Sequence, residues 1–425
     1  MTSRAADTET SQGALVALPM HFFALATFSF FAAMAASPWV IGQAIVYFYQ
    51  PAVLALVHTL TLGWITSAIM GVMYRYVPSL THRPLPFPRI AFAQFVLFLI
   101  GVSGMVTHFA LGSWVGVWSA AIVVLISAAM FAANMLVCLW RQFGRGATET
   151  GMFLATCFLL VAASLGFLLA FDKSFNFLRG DVITNLAAHV DLAALGWVTL
   201  AICAVSYRML PAFTVPTASS PRNALFQLYA LAATVSALAF ILLADLPGAT
   251  VTASAIVATL LLYIVSVARI VRSRRRPIDW TVRHVVVGMV SLGTAAGLGL
   301  ALTRAGTQDE TGARIAALYG LFGLMGFFGN LIIGMSYRLF AGFVERVRAV
   351  RGWRAIPATT LAFAGPRALV FFGFNVGLVI VAGGVILANG AIARTGATLM
   401  AVSALVYTLG TLRTLAFAYL PRSGA

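Results

Sequence analysis

The stretch His58–Pro78, HTLTLGWITSAIMGVMYRYVP, sets the architecture because related versions of it occur twice more. His189–Pro211 reads HVDLAALGWVTLAICAVSYRMLP, and Tyr319–Phe340 reads YGLFGLMGFFGNLIIGMSYRLF. Each version carries a glycine followed by an aromatic residue: Gly63-Trp64, Gly196-Trp197 and Gly326-Phe327. At the same distance downstream each carries a Tyr-Arg pair: Tyr74-Arg75, Tyr207-Arg208 and Tyr337-Arg338. The period is about 130 residues, longer than the units of solenoids and propellers, so the repeated unit is a bundle of helices.

Working outward from these stretches, apolar runs long enough to cross a bilayer fall at 17–36, 51–77, 90–111, 115–139, 151–171, 183–210, 224–244, 250–271, 281–303, 313–341, 367–388 and 396–418. The motif occupies the second, sixth and tenth of these twelve. The expected fold is therefore an all-α integral membrane protein of twelve transmembrane helices in three pseudo-equivalent four-helix repeats, 17–139, 151–271 and 281–418. Together they form a single transmembrane domain over 17–425, with 1–16 as a cytoplasmic N-terminal tail. Two-repeat transporters with broken helices at the midplane are a poor match, since no obvious mid-helix break shows in the sequence. The composition agrees with a membrane protein. Of 425 residues 61% are hydrophobic and 9% charged, and mean hydropathy is +0.97, whereas a soluble domain is about 25% charged. A water-soluble enzyme, a disordered chain and a disulfide scaffold are excluded.

The formal charge of +16 is a topology signal and not a nucleic-acid one. Only Lys173, Arg179, Arg304, Arg314 and Arg394, out of 27 basic residues, lie on the side of the odd-numbered connections. Positive-inside bias then puts both termini in the cytoplasm of a bacterial-type inner membrane. RIVRSRRRP at 269–277 is the densest basic block and suits membrane lipid headgroups. Residues 1–13 are polar and of mixed charge, unlike a cleavable signal peptide. Cys138, Cys157 and Cys203 stand singly in or beside apolar runs and read as packing residues. The terminal Tyr-Arg pairs read as interfacial anchors.

Twelve spans, cytoplasmic termini, threefold units and histidine ahead of Gly-Trp resemble subunit I of the haem-copper oxidases. The likeness is greatest to the C-type oxidases and nitric oxide reductases, and more distant to the NnrS-type haem- and copper-containing membrane proteins. It covers roughly residues 15–420. What it implies is a divergent oxidoreductase-type protein binding haem b, with copper as a further cofactor, near the periplasmic side. It would act in respiratory electron transfer or on a small gas such as nitric oxide or oxygen. Cytochrome c or quinol would be the electron donor, and partner subunits are implied.

Carried over residue by residue, His58 takes the axial-histidine position of the low-spin haem, and His189 lies at or near a copper-site histidine. The two histidines of the tenth helix fall on Tyr319 and Leu321, and the seventh helix has no histidine. The implied dinuclear ligand set is therefore incomplete, which leaves turnover open. Trp64 and Trp197 are candidates to flank a porphyrin. His108 follows Met105 by one helical turn, a Met/His pair that suits Cu(I). Asp191 aligns with His58 when the glycines are superposed. It stands about 200° around the helix from His189, so the two should face different neighbours. An intramembrane acid is a functional candidate, here as a partner orienting a histidine or as a proton carrier. Two other classes remain: a haem- or copper-handling or assembly subunit that kept the fold without cofactors, and a transporter using the haem cavity for another ligand.

Overall fold

The computed structural model describes residues 2–216, 223–361 and 365–420. Among the described residues, twelve helices are long and apolar enough to cross a membrane: α1 Ala17–Val46, α2 Pro51–Thr81, α3 Pro88–Ala110, α4 Trp114–Gln142, α5 Ala147–Phe175, α6 Val182–Thr214, α7 Ala224–Leu243, α8 Ala249–Arg272, α9 Trp280–Ala305, α10 Glu310–Val350, α11 Arg367–Ile386 and α12 Gly390–Ala416. Proline opens α2 and α3, where a missing N–H costs nothing. Asp181, Asp279 and Asp309 cap α6, α9 and α10 by accepting from Thr184 N, Val282 N and Gly312 N.

Two ends differ from the sequence reading. The first helix is continuous from Thr2 to Val46, so the backbone of the expected tail is helical. The tenth span, expected to end at 341, runs on to Val350 and takes in most of the basic stretch 345–354. Phe340, Phe343, Val344 and Val347 keep one side of that extension buried, which holds the helix together beyond the apolar run.

The motif positions share a backbone irregularity. A π-helical segment interrupts α2 at Thr59–Thr66, α6 at Asp191–Thr199 and α10 at Phe322–Gly329. Each contains the motif glycine, and no proline causes it. A polar side chain reaches back across each widened turn. Ser67 Oγ donates to Leu62 O (3.2 Å), Thr199 Oγ1 to Ala194 O (2.8 Å), and Asn330 Nδ2 to Gly326 O (2.9 Å). The glycines permit close approach of the preceding helix. An added Cβ would lie 2.6 Å from Ser29 Oγ of α1 at Gly63, 2.4 Å from Phe158 of α5 at Gly196, and 2.6 Å from Ser291 of α9 at Gly326.

The motif tyrosines are buried, not interfacial. Tyr74 donates to Gln94 Oε1 of α3 (3.0 Å), and Tyr207 to Gln227 Oε1 of α7 (3.2 Å). Tyr263 of α8 donates to Ser206 Oγ (3.0 Å), and Tyr407 of α12 to Ser336 Oγ (2.9 Å). The rings Tyr74·Phe131, Tyr207·Tyr263 and Tyr337·Tyr407 meet at 5.3, 5.8 and 6.3 Å. A buried phenol strands its hydroxyl unless a partner is supplied, so these contacts fix how each motif helix meets its neighbours.

α1 packs along both α2 and α12, closing the bundle on itself. Arg348, 2% exposed, fastens the end of α12 to α10. Its guanidinium donates to Phe417 O (2.8 Å), Leu420 O (3.0 Å) and twice to Arg354 O (3.2 and 3.0 Å). It also lies 5.3 Å from the Trp353 ring. These bonds offset the cost of taking the charge out of water. Arg338 is ion-paired with Asp279 at the start of α9.

Candidate functional site

The half of the bundle opposite this clamp is hollow. A cavity of about 790 Å³ is bordered by α2, α6 and α10 and reaches the connections that carry Tyr49, Asp181 and Gln308. Natural interiors pack to crystal density with few voids larger than a water. Sites for small molecules and cofactors occupy about 300–1,000 Å³ and are mostly apolar with a few polar groups. This cavity has that size and character.

The motif helices place the polar groups. The residues five before each motif glycine are His58, Asp191 and Leu321, and those seven before are Leu56, His189 and Tyr319. All six line the cavity. His58 Nδ1 lies 2.8 Å from Leu54 O, and its ring stacks on Phe109 at 4.7 Å. His189 Nδ1 lies 3.0 Å from Ala162 O of α5. A carbonyl only accepts, so each Nδ1 carries the proton and each Nε2 keeps its lone pair. Neither Nε2 bonds to a described residue, and neither is walled in by packing. An imidazole oriented through one nitrogen, with the other presented to a cavity, is the arrangement of a metal-ligating histidine.

Asp191 of α6 and Tyr319 of α10 line the same cavity. His189 faces α5 through its contact with Ala162 O. Asp191 has no hydrogen bond or ion pair to a described residue. At the mouth, Lys173 Nζ stands 4.8 Å from the Tyr49 ring and 5.6 Å from the Trp114 ring, a cation–π pair of contacts. Burial pushes the Tyr49 phenol up to about 12, with Tyr47 and Asp172 adding to the shift.

Two candidate residues lie elsewhere. Trp64 is 1% exposed and packs on Phe30 at 4.0 Å, away from the cavity lining. Trp197 does line it, and its Nε1 donates to Thr66 Oγ1 of α2 at 3.1 Å. His108 is wedged against Gly116 of α4 with Nδ1 buried and unpartnered, and Met105 reaches the cavity without it. The sequence reading passed over His284, which is fully buried in α9 with Nδ1 2.7 Å from Asn330 Oδ1. Asn330 in turn exchanges hydrogen bonds with Asn375 of α11. Asn330 follows the third motif glycine by one turn, where the other motifs carry Ser67 and Leu200, and this polar departure was its only signal.

Among the described residues no three of His, Cys, Asp and Glu stand together as a metal-binding group. Neither a protein-family model nor a curated protein matches the chain.

Proposed function

We propose that the chain is a redox membrane protein that binds one b-type haem in the cavity between α2, α6 and α10. In this reading it is a divergent relative of subunit I of the haem-copper oxidases, near their C-type and nitric oxide reductase branch. The observation that carries the reading is the pair His58 and His189. Two neutral imidazoles, each oriented by a backbone carbonyl, offer Nε2 to an apolar chamber large enough for a porphyrin. These residues fit a haem. They do not fit a three-imidazole copper centre, since no such cluster forms among the described residues, and no role is assigned to copper.

When bound, a b-type haem supplies one-electron chemistry and, where an axial position stays open, a place for a diatomic gas. The chain's own residues do the rest. His58, held by Leu54 O, would hold the haem iron through Nε2. His189, held by Ala162 O, is the second imidazole of the chamber. Asp191 and Tyr319 also line the chamber, where either can hold a proton. Trp197 and Phe109 wall it against water. The basic-residue asymmetry orients the cavity mouth to the periplasm of a bacterial-type inner membrane, with the termini in the cytoplasm. A cytochrome c or a quinol is the donor class this placement suits.

The test is a pyridine haemochrome assay for haem type and content, with the native Soret spectrum, of the purified chain beside His58→Ala and His189→Ala. The expected result is a b-type spectrum in the wild type, lost in His58→Ala and shifted in His189→Ala, with all three proteins folded in the membrane. A wild type without haem, or one whose spectrum both variants leave unchanged, sinks the proposal. The first result would turn attention to a cofactor-handling subunit or a transporter.

A further inference from the structure

A second, smaller hollow lies further along the same three helices, past the π-helical segments. Its volume is about 80 Å³, and Ala68 and Met73 of α2, Ala201 of α6, and Leu331 and Met335 of α10 line it, with Met152 of α5. Two hydroxyls border it, and both are engaged. Ser206 Oγ accepts from Tyr263, while Ser336 Oγ accepts from Tyr407 and donates to Ile333 O at 2.8 Å. The lining therefore offers almost nothing to a water molecule, which needs about two to four polar partners to stay in a protein interior. Apolar cavities without such partners stay dry, and one of about 150 Å³ takes up benzene or xenon.

The hollow is also propped open. On the side of the large cavity, Trp197 is hydrogen-bonded to Thr66 and ties α6 to α2. On the other side, Tyr76 donates to Met209 Sδ (3.1 Å) and packs on Phe343 (5.7 Å), and Phe23 of α1 packs on Phe340 (4.4 Å). These contacts span α2, α6 and α10 above and below the hollow, so the helices cannot close on it without breaking them. An empty space of this kind leaves its lining atoms without dispersion partners, and a small apolar guest would supply them.

We propose that this axial hollow is a binding site for one small, uncharged, apolar molecule, of the size of a diatomic gas or a xenon atom. The site owes nothing to the haem reading: none of its lining residues is a candidate ligand, and it lies outside the large cavity. The probe is xenon, added under pressure to the purified full chain in detergent and followed by xenon NMR. Saturable xenon binding is expected in the wild type. Ala201→Leu, which fills the hollow, should lower that binding several-fold. Leu331→Ala, which enlarges it, should raise it several-fold, a gain that misfolding cannot imitate. His58→Ala, in the other cavity, should leave the difference between Ala201→Leu and wild type intact. Xenon binding that neither Ala201→Leu nor Leu331→Ala alters overturns the proposal, and so does the absence of saturable binding in the wild type. If Ala201→Leu fails to fold, the response of Leu331→Ala alone decides.

Discussion

On one side of the π-helical segments, His58, His189 and Asp191 face a void with polar atoms that no described residue claims. On the other side, Tyr74, Tyr207, Tyr263 and Tyr407 each donate to a side chain on a neighbouring helix, and Arg348 spends its guanidinium on carbonyls. The same three helices build both halves. Satisfied polar contacts between helices hold a bundle together in an apolar environment. The clamped half is thus the better braced of the two, and substitutions should separate it from the half around the cavity.

The largest effect on stability should come from Arg348→Ala. It strands the carbonyls of Phe417, Leu420 and Arg354, and its cost should approach that of breaking a buried charged contact, about 3–5 kcal/mol. Thermal unfolding in detergent checks this, and an unchanged midpoint would mean that α12 is held without the clamp. Next, Gln227→Ala leaves Tyr207 without its acceptor and should cost about 1–3 kcal/mol. Ser206→Ala removes only the acceptor of Tyr263 and should cost about 1 kcal/mol; if it costs more than Gln227→Ala, the ranking of these contacts is reversed. On the cavity side, His189→Ala removes one hydrogen bond to a carbonyl of α5 and should cost the haem-free chain about 0.5–1 kcal/mol. A loss as large as that of Gln227→Ala would erase the contrast between the halves.

The smallest effect belongs to the cavity mouth. The Tyr49 phenol titrates higher in the folded chain than in the unfolded one. Its neutral form is therefore favoured by folding, and that contribution is complete below the unfolded value of about 10. It is lost as pH rises toward the folded value of about 12. Tyr49→Phe should flatten a shallow fall in stability across that window, and a fall that persists in the variant would assign it to other groups.

Twelve spans and the tripled motif were legible because hydropathy and spacing are properties of the chain itself. The partners of the motif were not. Tyr74 looks like an interfacial anchor until Gln94 is found opposite it, and that contact crosses a turn whose geometry no periodicity encodes. Trp64 and Trp197 occupy the same motif position, yet only Trp197 reaches the cavity, because Trp64 is taken up by Phe30 of α1. His108 follows Met105 by one turn, but the close approach of Gly116 draws it toward α4. No proline marks the π-helical segments, and the polar residues in or beside them, Thr59, Asp191, Ser67, Thr199 and Asn330, are of kinds that occur in ordinary helices too.

Those segments let the two ends of α2, α6 and α10 be phased independently. One residue added to or removed from a helix rotates everything beyond it by about 100°. Trimming a residue from Thr59–Thr66 would straighten α2 and turn either His58 away from the void or Tyr74 away from Gln94. With the wide turn in place, the outer end behaves as an interchangeable socket on a fixed base. The three versions differ in just this way. The positions ahead of the glycine hold His58, Asp191 and Leu321, three unrelated chemistries, while the glycine and the Tyr-Arg pair beyond it recur each time. The socket can be refitted without disturbing the base.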